Sequence, residues 1–211
     1  MMTMGIDEVG RGPLAGPVTA CGVVLGDWRP AAPLVLADSK RLSKPRREAL
    51  ADLIRANALA VGLGWASAEE IDRLNILQAT FLAMQRAVKQ AIEMLVAKTG
   101  LSEDQVRLVV DGSLNPVRHG QGLDWPWQTQ TCVGGDSLVA EVSAASIVAK
   151  VQRDAHMRAL DQQYPGYGMG QHAGYGTAQH LRALKALGPS PVHRFSFGPV
   201  RQSASPAGGP A

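Results

Sequence analysis

The chain has 211 residues, of which 45% are hydrophobic and 18% are charged, and its formal net charge is +3; these values suit one soluble globular domain with a small helical appendage. No apolar run approaches the roughly 18–20 residues of a membrane span, the first residues lack the regions of a signal peptide, and the two cysteines show neither metal-ligand spacing nor a disulfide framework. We therefore expect a cytoplasmic protein without membrane contact, and its slight positive charge permits nucleic-acid binding without indicating it.

Strands and helices alternate along most of the chain. In chain order the pattern predicts a strand at residues 3–6, a strand at 18–25, a helix from about 44 to 58, a strand at 60–65, a short helix after residue 67, a long helix from about 76 to 98, strands at 106–110 and 127–133, a helix from 138 to about 163, an irregular Gly- and Tyr-rich segment at 164–176, and a helix at 177–187. Ser43, Ser67 and Asn75 are candidate N-caps for three of these helices. Gly62 and Gly64 weaken the prediction of the strand that contains them.

This alternation predicts an α/β fold. A single domain is expected over residues 1–200, with a C-terminal part of helices and loops from about 160 to 200. Residues 201–211 are rich in Ser, Ala, Pro and Gly, and we expect them to form a disordered tail. We also expect a monomer.

Two adjacent carboxylates, Asp7 and Glu8, stand directly before Gly10-Arg11-Gly12. Neighbouring side chains of a strand point to opposite faces, so the two carboxylates share a site only if the strand ends there and the chain turns, which the glycines permit. The glycines also leave the backbone open to close approach, and Arg11 offers a fork of donors suited to phosphate. This mixture indicates metal-assisted phosphate chemistry, and the alternative is a surface turn with a solvated acidic pair.

Acidic residues with glycine nearby mark three predicted strand ends. They are Asp7 with Glu8, Asp111, and Asp136. Sites in open α/β sheets form outside strand ends, so these ends would bring the carboxylates together. Carboxylates at such a short separation stay ionised only if cations lie between them. A site with only oxygen ligands and open coordination positions suits two Mg²⁺ or Mn²⁺ ions. Asp111-Gly112 alone is more often a simple turn, so the prediction depends on the joint pattern.

Several blocks resemble ribonuclease HII, in that family's order and across nearly the whole chain. They are residues 7–18 (DEVGRGPLAGPV), 38–40 (DSK), 110–112 (VDG), 135–136 (GD), 143–151 (SAASIVAKV), 153–154 (RD), 172–177 (HAGYGT) and 196–200 (SFGPV). The opening block and the SAASIVAKV block together make the resemblance specific. It implies a ribonuclease H-like fold, a mixed sheet flanked by helices.

The resemblance also implies an activity. This is endonucleolytic cleavage of the RNA strand of RNA–DNA hybrids and nicking 5′ of a single ribonucleotide in duplex DNA, leaving 3′-hydroxyl and 5′-phosphate ends. The implied catalytic metal ligands, for two Mg²⁺ or Mn²⁺ ions, are Asp7, Glu8, Asp111 and Asp136. Asp7 would bridge both ions, and Asp136 would help hold the ion that activates water. Glu8 and Asp111 would hold the ion on the leaving 3′-oxygen.

Telling RNA from DNA requires contact with a 2′-hydroxyl. The family pattern assigns this contact to the backbone of Gly10-Arg11-Gly12 and to Tyr175, whose ring would pack against the sugar; the alternative for Tyr175 is a core or lid residue. Lys40 and His172 are candidate substrate contacts, although His172 is equally a candidate loop brace. The family usually has lysine where this chain has Ala173, so affinity rather than chemistry is expected to differ.

Other residues have weaker assignments. Lys150 and Arg194 are further candidates for contacts to a nucleic-acid backbone. Asp154 lies within a predicted helix and is expected to brace it. Trp125 and Trp127 are expected to pack within their loop rather than stack on bases.

Two other functions stay open. A DNA-directed nuclease or transposase of the same fold would not need a reader of the 2′-hydroxyl. A non-catalytic nucleic-acid-binding module would not need four carboxylates, which repel phosphate unless metals are bound. The related ribonuclease HIII family would need an extra amino-terminal domain, for which there is no room before Asp7, and no clamp-binding motif is evident in the tail.

Overall fold

A computed structural model describes residues 1–28 and 42–204 of the chain. In this part of the chain, a single mixed sheet contains β1 (Met2–Val9), β2 (Val18–Val24), β3 (Ala60–Ala66), β4 (Val106–Asp111) and β5 (Thr129–Cys132), in the order β3-β2-β1-β4-β5. β2 runs antiparallel to both of its neighbours, whereas β1, β4 and β5 are parallel to one another. The parallel half therefore brings three strand ends to one edge of the sheet.

Helices cover both faces of the sheet. They are α1 (Lys44–Asn57), α2 (Ala68–Leu74), α3 (Ile76–Thr99), α4 (Pro116–His119), α5 (Gly135–Leu138), α6 (Ala140–Gln163), α7 (Met169–His172), α8 (Ala178–Leu187) and α9 (Gly198–Ala204). Along β2, Ala20 and Val24 pack in the cluster that contains α3, and Cys21 and Val23 pack in the cluster that contains α1 and α6. This two-residue alternation is that of a strand buried on both faces.

The strand that contains Gly62 and Gly64 is present, and the packing of α3 explains its glycines. A Cβ atom at Gly62 would overlap the carbonyl oxygen of Ala87, and one at Gly64 would overlap that of Ala83. The long helix thus lies directly on the backbone of β3, which only residues without a side chain allow.

The predicted N-cap positions are those at which the helices begin. Ser67 and Glu70 form a reciprocal capping box at the start of α2. Asn75 accepts hydrogen bonds from the backbone N–H groups of Leu77 and Gln78 at the start of α3. Ser43 precedes α1 without a side-chain cap hydrogen bond.

Other elements differ from the prediction. The helix predicted from residue 138 to about 163 begins at Ala140 as α6, because Val139 has extended backbone angles (φ −122°, ψ 118°). The one-turn helix α5, which was not predicted, precedes Val139. The one-turn helices α4 and α7 lie where the sequence pattern predicts no helix. Helix α9 continues to Ala204 and buries Val200, so the start of the predicted tail is helical, while residues 205–211 lie outside the described ranges.

The loop before β5 is packed against the core as predicted. Trp125 and Trp127 are buried and form an edge-to-face pair with ring centroids 5.3 Å apart. In the described residues, no helix combines the length and apolar character that crossing a membrane requires.

Candidate active site

The parallel strands β1, β4 and β5 end side by side. Ile6 is the last residue of β1 that pairs with β4, where it lies opposite Val110. Asp7 follows it, so its neighbour across the strands is Asp111, which itself pairs with Cys132 at the end of β5. The register of the sheet therefore brings Asp7 and Asp111 together.

The chain after β5 turns back toward Asp111. Gly134 has positive φ (+71°), and the N–H of Gly135 then donates to Oδ1 of Asp111 over 2.7 Å. Asp136 is the next residue, lies in the first turn of α5, and is buried.

A cavity of about 340 Å³ lies at these strand ends. Its lining residues are Asp7, Glu8, Val9, Arg47, Asp111, Ser146, Lys150 and Tyr175. Three of the four predicted carboxylates and the predicted tyrosine thus border one space. Asp136 is not among the lining residues, although it directly follows Gly135, whose N–H bonds Asp111. A second cavity, of about 270 Å³, also borders Glu8 and Asp111 and includes Arg11.

Asp7 and Glu8 share the cavity although β1 does not end at them. The strand continues to Val9, which pairs with Thr19 of β2. The expectation that the strand must end at the acidic pair is therefore wrong. The two side chains meet in one space because β1 is paired only with β2 beyond Ile6, which leaves its other edge open.

Burial dominates the electrostatics of the acidic pair. Burial, together with the charges of Glu8 and Asp111, raises the pKa of Asp7 to about 8, although hydrogen bonds from Ser146 and from the N–H of Glu8 oppose the rise. Burial also raises the pKa of Glu8, against the nearby guanidinium of Arg11, whose Nη1 lies 3.3 Å from Oε1. A cation beside these oxygens would favour their ionised forms.

The donor set fits a hard divalent cation. Within residues 1–28 and 42–204, no three His, Cys, Asp or Glu side chains are already grouped closely enough to hold a metal ion. The carboxylates that border the cavity nevertheless offer oxygen donors in one space, and Mg²⁺ and Mn²⁺ prefer oxygen donors. Asp7 has a raised pKa that such an ion would lower, because it would compensate the charge that burial disfavours.

The segment Gly10-Arg11-Gly12, called here the glycine turn, lies next to Tyr175. Gly10 has positive φ (+92°) and Gly12 is exposed. A Cβ atom built on Gly12 would lie 3.4 Å from Cε1 of the Tyr175 ring. That ring is 46% exposed at the rim of the cavity, which excludes a core role for it.

Histidines brace the loop that carries Tyr175. His172 contacts the carbonyl of Tyr167 through Nε2 over 2.9 Å, and its ring stacks on that of His180 with centroids 4.6 Å apart. The geometry favours the bracing alternative for His172. His180 contacts the carbonyl of Tyr175 through Nδ1 over 2.9 Å and Nε2 of His193 through its other nitrogen over 3.0 Å.

These hydrogen bonds fit neutral imidazoles. The N–H of Ser190 donates to Nδ1 of His193 over 3.0 Å, so Nε2 of His193 carries the proton that lies between His193 and His180. Burial lowers the pKa of both rings, that of His193 to about 4.

The structure treats the two predicted contacts to a nucleic-acid backbone, Lys150 and Arg194, differently. Lys150 lines the cavity and pairs with Asp154 one helical turn away at 2.7 Å, which agrees with a bracing role for Asp154. Arg194 is fully buried, so the prediction that it contacts a nucleic-acid backbone is wrong. Lys40 lies outside the described residues.

Sequence reasoning missed the roles of four residues around the site. Ser146 hydrogen-bonds Asp7, and Arg47 lines the cavity. Arg194 donates to the carbonyl of Gly10 in the glycine turn, and Arg153 donates to the carbonyl of Pro17 farther along the same loop. The available signal was the presence of Ser146, Arg153 and Arg194 in or next to the blocks that carry the family resemblance, but that signal gives no direction for their side chains.

Comparison with protein families and known proteins gives a consistent result. The family model described as "Ribonuclease HII" matches residues 4–200. A protein of Halorhodospira halophila named "Ribonuclease HII" is 52% identical over 200 residues, which are 94% of this chain and 93% of that protein. A protein of Thiobacillus denitrificans with the same name is 52% identical over 197 residues, 93% of this chain and 87% of that protein.

Solved structures share the fold. Ribonuclease H2 from Pyrococcus horikoshii superposes on this structure with a TM-score of 0.70 and is 24% identical in sequence. The superposition covers 97% of each chain. RNase HII from Archaeoglobus fulgidus, solved in a complex with PCNA, gives 0.69 at 26% identity over 94% of this chain and 96% of that one. Bst-RNase HIII, solved in complex with Mn²⁺, gives 0.72 at 17% identity over 96% of this chain and 69% of that one. The mixed sheet flanked by helices is thus the predicted ribonuclease H-like fold.

Proposed function

The chain belongs to the ribonuclease HII family and is a ribonuclease H, and we propose that it nicks duplex DNA 5′ of single ribonucleotides as well as cleaving the RNA strand of RNA–DNA hybrids. The products are 3′-hydroxyl and 5′-phosphate ends. The observation that carries this proposal is one cavity that joins Asp7, Glu8 and Asp111 to the ring of Tyr175, with the glycine turn beside that ring.

The carboxylates are proposed to hold two divalent ions, Mg²⁺ or Mn²⁺. The ligands would be Asp7, Glu8, Asp111 and Asp136. When bound, the two ions supply an activated water and stabilise charge on the leaving oxygen. A divalent requirement is supported by the oxygen donors at the cavity and by the Mn²⁺ complex of Bst-RNase HIII.

The chain's own groups prepare these ligands. Asp7 must lose the proton that burial favours, and the Ser146 hydroxyl supports its ionised form. The N–H of Gly135 fixes Oδ1 of Asp111 and leaves Oδ2 for a ligand. Arg11 pairs with Glu8 while 41% of its side chain stays exposed, so its guanidinium is available to a phosphate.

Recognition of RNA is proposed to occur at the rim of the cavity. The exposed ring of Tyr175 offers a flat apolar surface on which the sugar next to the scissile bond can pack. The glycine turn lies within contact distance of that ring and brings bare backbone groups to the same place. A 2′-hydroxyl between them can then be read by hydrogen bonds, which a deoxyribose cannot form.

A labelled DNA duplex with one ribonucleotide tests the proposal. It is incubated with Mg²⁺, Mn²⁺ or EDTA beside an all-DNA duplex and a long RNA–DNA hybrid. We expect a metal-dependent nick 5′ of the ribose and no cut in the all-DNA duplex. Cleavage of the hybrid alone would refute single-ribonucleotide nicking but not ribonuclease H activity, and cleavage of the all-DNA duplex would favour a DNA-directed nuclease.

Binding without any cleavage would favour the non-catalytic module. The cytoplasmic location and the monomeric state stay predictions from the sequence.

A further inference from the structure

Two arginines are the largest fully buried side chains of the described structure. Arg153 and Arg194 are both 0% exposed. Within residues 1–28 and 42–204, every hydrogen bond that their guanidinium groups donate goes to a backbone carbonyl rather than to a carboxylate. Burying a guanidinium charge without a carboxylate partner costs free energy, and the hydrogen bonds to carbonyls compensate part of that cost. The positions of these carbonyls therefore indicate what the two arginines hold in place.

The two arginines hold different carbonyls around the site. Arg194 donates to the carbonyls of Gly10 over 2.6 Å, of Arg11 over 2.8 Å and of Gly16 over 3.0 Å. Arg153 donates to the carbonyls of Pro17, Ala173 and Ala15, at 3.0, 3.0 and 3.3 Å. Only Arg194 therefore donates hydrogen bonds to the carbonyls of the glycine turn. Arg153 packs against Gly10 without bonding its carbonyl, and it holds the end of the loop at residues 15 and 17 and the carbonyl of Ala173, two residues before Tyr175.

The direction of these carbonyls fixes the direction of the amides next to them. In a planar trans peptide the C=O and the N–H point to opposite sides. The carbonyls of Gly10 and Arg11 point inward to Arg194, so the N–H groups of Arg11 and Gly12 point outward. Among the described residues, no acceptor is hydrogen-bonded to either of these two N–H groups, and Gly12 is exposed beside the Tyr175 ring.

We propose that Arg194 is a positioning residue for ribose recognition, because it holds two carbonyls of the glycine turn inward and thereby presents two N–H groups to a 2′-hydroxyl. This inference rests on the proposed role of the turn in reading that hydroxyl. A charged donor on the carbonyl side also polarises the amide and strengthens its N–H as a donor. The ring of Phe197 packs on the guanidinium, 5.2 Å from Cζ, and helps to hold it in place.

The test compares two conservative variants of the matched pair, Arg194→Lys and Arg153→Lys. Lysine keeps the charge but cannot bond three carbonyls with the geometry of the guanidinium fork. Fluorescence anisotropy measures the affinity of each protein for two fluorescently labelled DNA duplexes. One contains a single ribonucleotide, and the other has a deoxyribonucleotide at the same position. EDTA prevents cleavage, and the salt concentration is fixed because it controls affinity.

For the wild type we expect the ribonucleotide duplex to bind about ten-fold more tightly, the size of one or two hydrogen bonds. Arg194→Lys should bring this ratio to about one while the affinity for the deoxyribose duplex stays within about two-fold. Arg153→Lys leaves both carbonyls of the glycine turn bonded to Arg194, so it should lose stability and reduce the ratio much less than Arg194→Lys does. An equal loss of the ratio in both variants, or an unchanged ratio in Arg194→Lys, would overturn the inference and leave the proposed function intact.

A wild type without any preference would instead refute the reading of ribose itself. If Arg194→Lys does not fold, amide hydrogen exchange of the ¹⁵N-labelled wild type is the alternative measurement. The ribonucleotide duplex should then slow exchange at Arg11 and Gly12 more than the deoxyribose duplex does. Equal slowing by the two duplexes would overturn the inference.

Discussion

Replacing Asp7 by Asn should stabilise the protein in the absence of divalent metal. Asp7 is 7% exposed and borders a cavity with Glu8 and Asp111, and its environment raises its pKa from 3.8 to about 8. Asn carries no charge, keeps a carbonyl oxygen that can accept the hydrogen bond from Ser146, and fills nearly the same volume. The variant therefore removes the ionisation problem with little change in packing.

The size of the effect follows from the two pKa values. At pH 7 the unfolded chain carries Asp7 ionised, whereas folding returns a proton to it. Protonating Asp7 on folding lowers the free energy of unfolding by about 4 kcal/mol at most. This figure is about 1.36 kcal/mol for each pH unit between 3.8, the ordinary pKa, and pH 7. New contacts of the amide offset part of the gain, so we expect Asp7→Asn to raise the free energy of unfolding by about 2–4 kcal/mol at pH 7.

The sign of the pH dependence is fixed by the same values. A carboxyl whose pKa is raised on folding contributes its full stability below pH 3.8 and loses it as the pH rises to about 8. The free energy of unfolding of the wild type should fall across this window. Asp7→Asn should show a smaller slope, and not a flat line, because burial also raises the pKa of Glu8.

Urea unfolding in EDTA at several pH values measures both quantities. Asp52→Asn is the matched control, since the side chain of Asp52 is 76% exposed. Added Mg²⁺ should then stabilise the wild type and not Asp7→Asn, because binding to the folded state alone adds stability. The reasoning is refuted if Asp7→Asn is no more stable than Asp52→Asn at pH 7 without metal.

Three further substitutions test other parts of the molecule. Asp136→Asn should lower the cleavage rate at least ~100-fold and leave duplex binding in EDTA unchanged; near-normal turnover would remove Asp136 from the proposed metal site. Tyr175→Ala should lower kcat/KM on a single ribonucleotide about ten-fold more than on a long hybrid, and equal losses would indicate a structural role. Gly64→Ala should destabilise the protein by about 3 kcal/mol in urea unfolding, because its Cβ overlaps the carbonyl of Ala83. Gly100→Ala, at a helix end with open space around it, should cost only about 1 kcal/mol, and equal effects would show that α3 can move away from β3.

The carboxylates at the strand ends could be predicted because local signals mark them. Asp7 and Asp111 follow apolar β-type runs and precede glycines, and the parallel pairing of β1 and β4 brings such ends together. The helices α2 and α3 were equally predictable, since their caps and apolar spacing lie within a few residues of one another. Short helices such as α4 and α7 span one turn and carry no periodicity from which to predict them.

The support of the glycine turn could not be predicted from local signals. Arg194 is a basic residue in a polar segment, and such residues are usually solvated. Its burial depends on a partner 184 positions earlier in the chain, the carbonyl of Gly10. The same reason weakened the prediction of β3. Gly62 and Gly64 are unfavourable in a strand, and only the tertiary structure shows that helix α3 lies directly on them.

The long span between Arg194 and the glycine turn has a consequence for the order of assembly. Closing a loop of this length precedes any gain from the contact, so a segment synthesised 184 residues later completes a structure that begins at residue 10. β1, β2 and β4 are all synthesised earlier and can pair before that segment arrives. A nascent chain can therefore hold Asp7 and Asp111 side by side while the glycine turn is still without its hydrogen bonds to Arg194. The proposed recognition of ribose would then form after the carboxylates have come together, as a later step of folding.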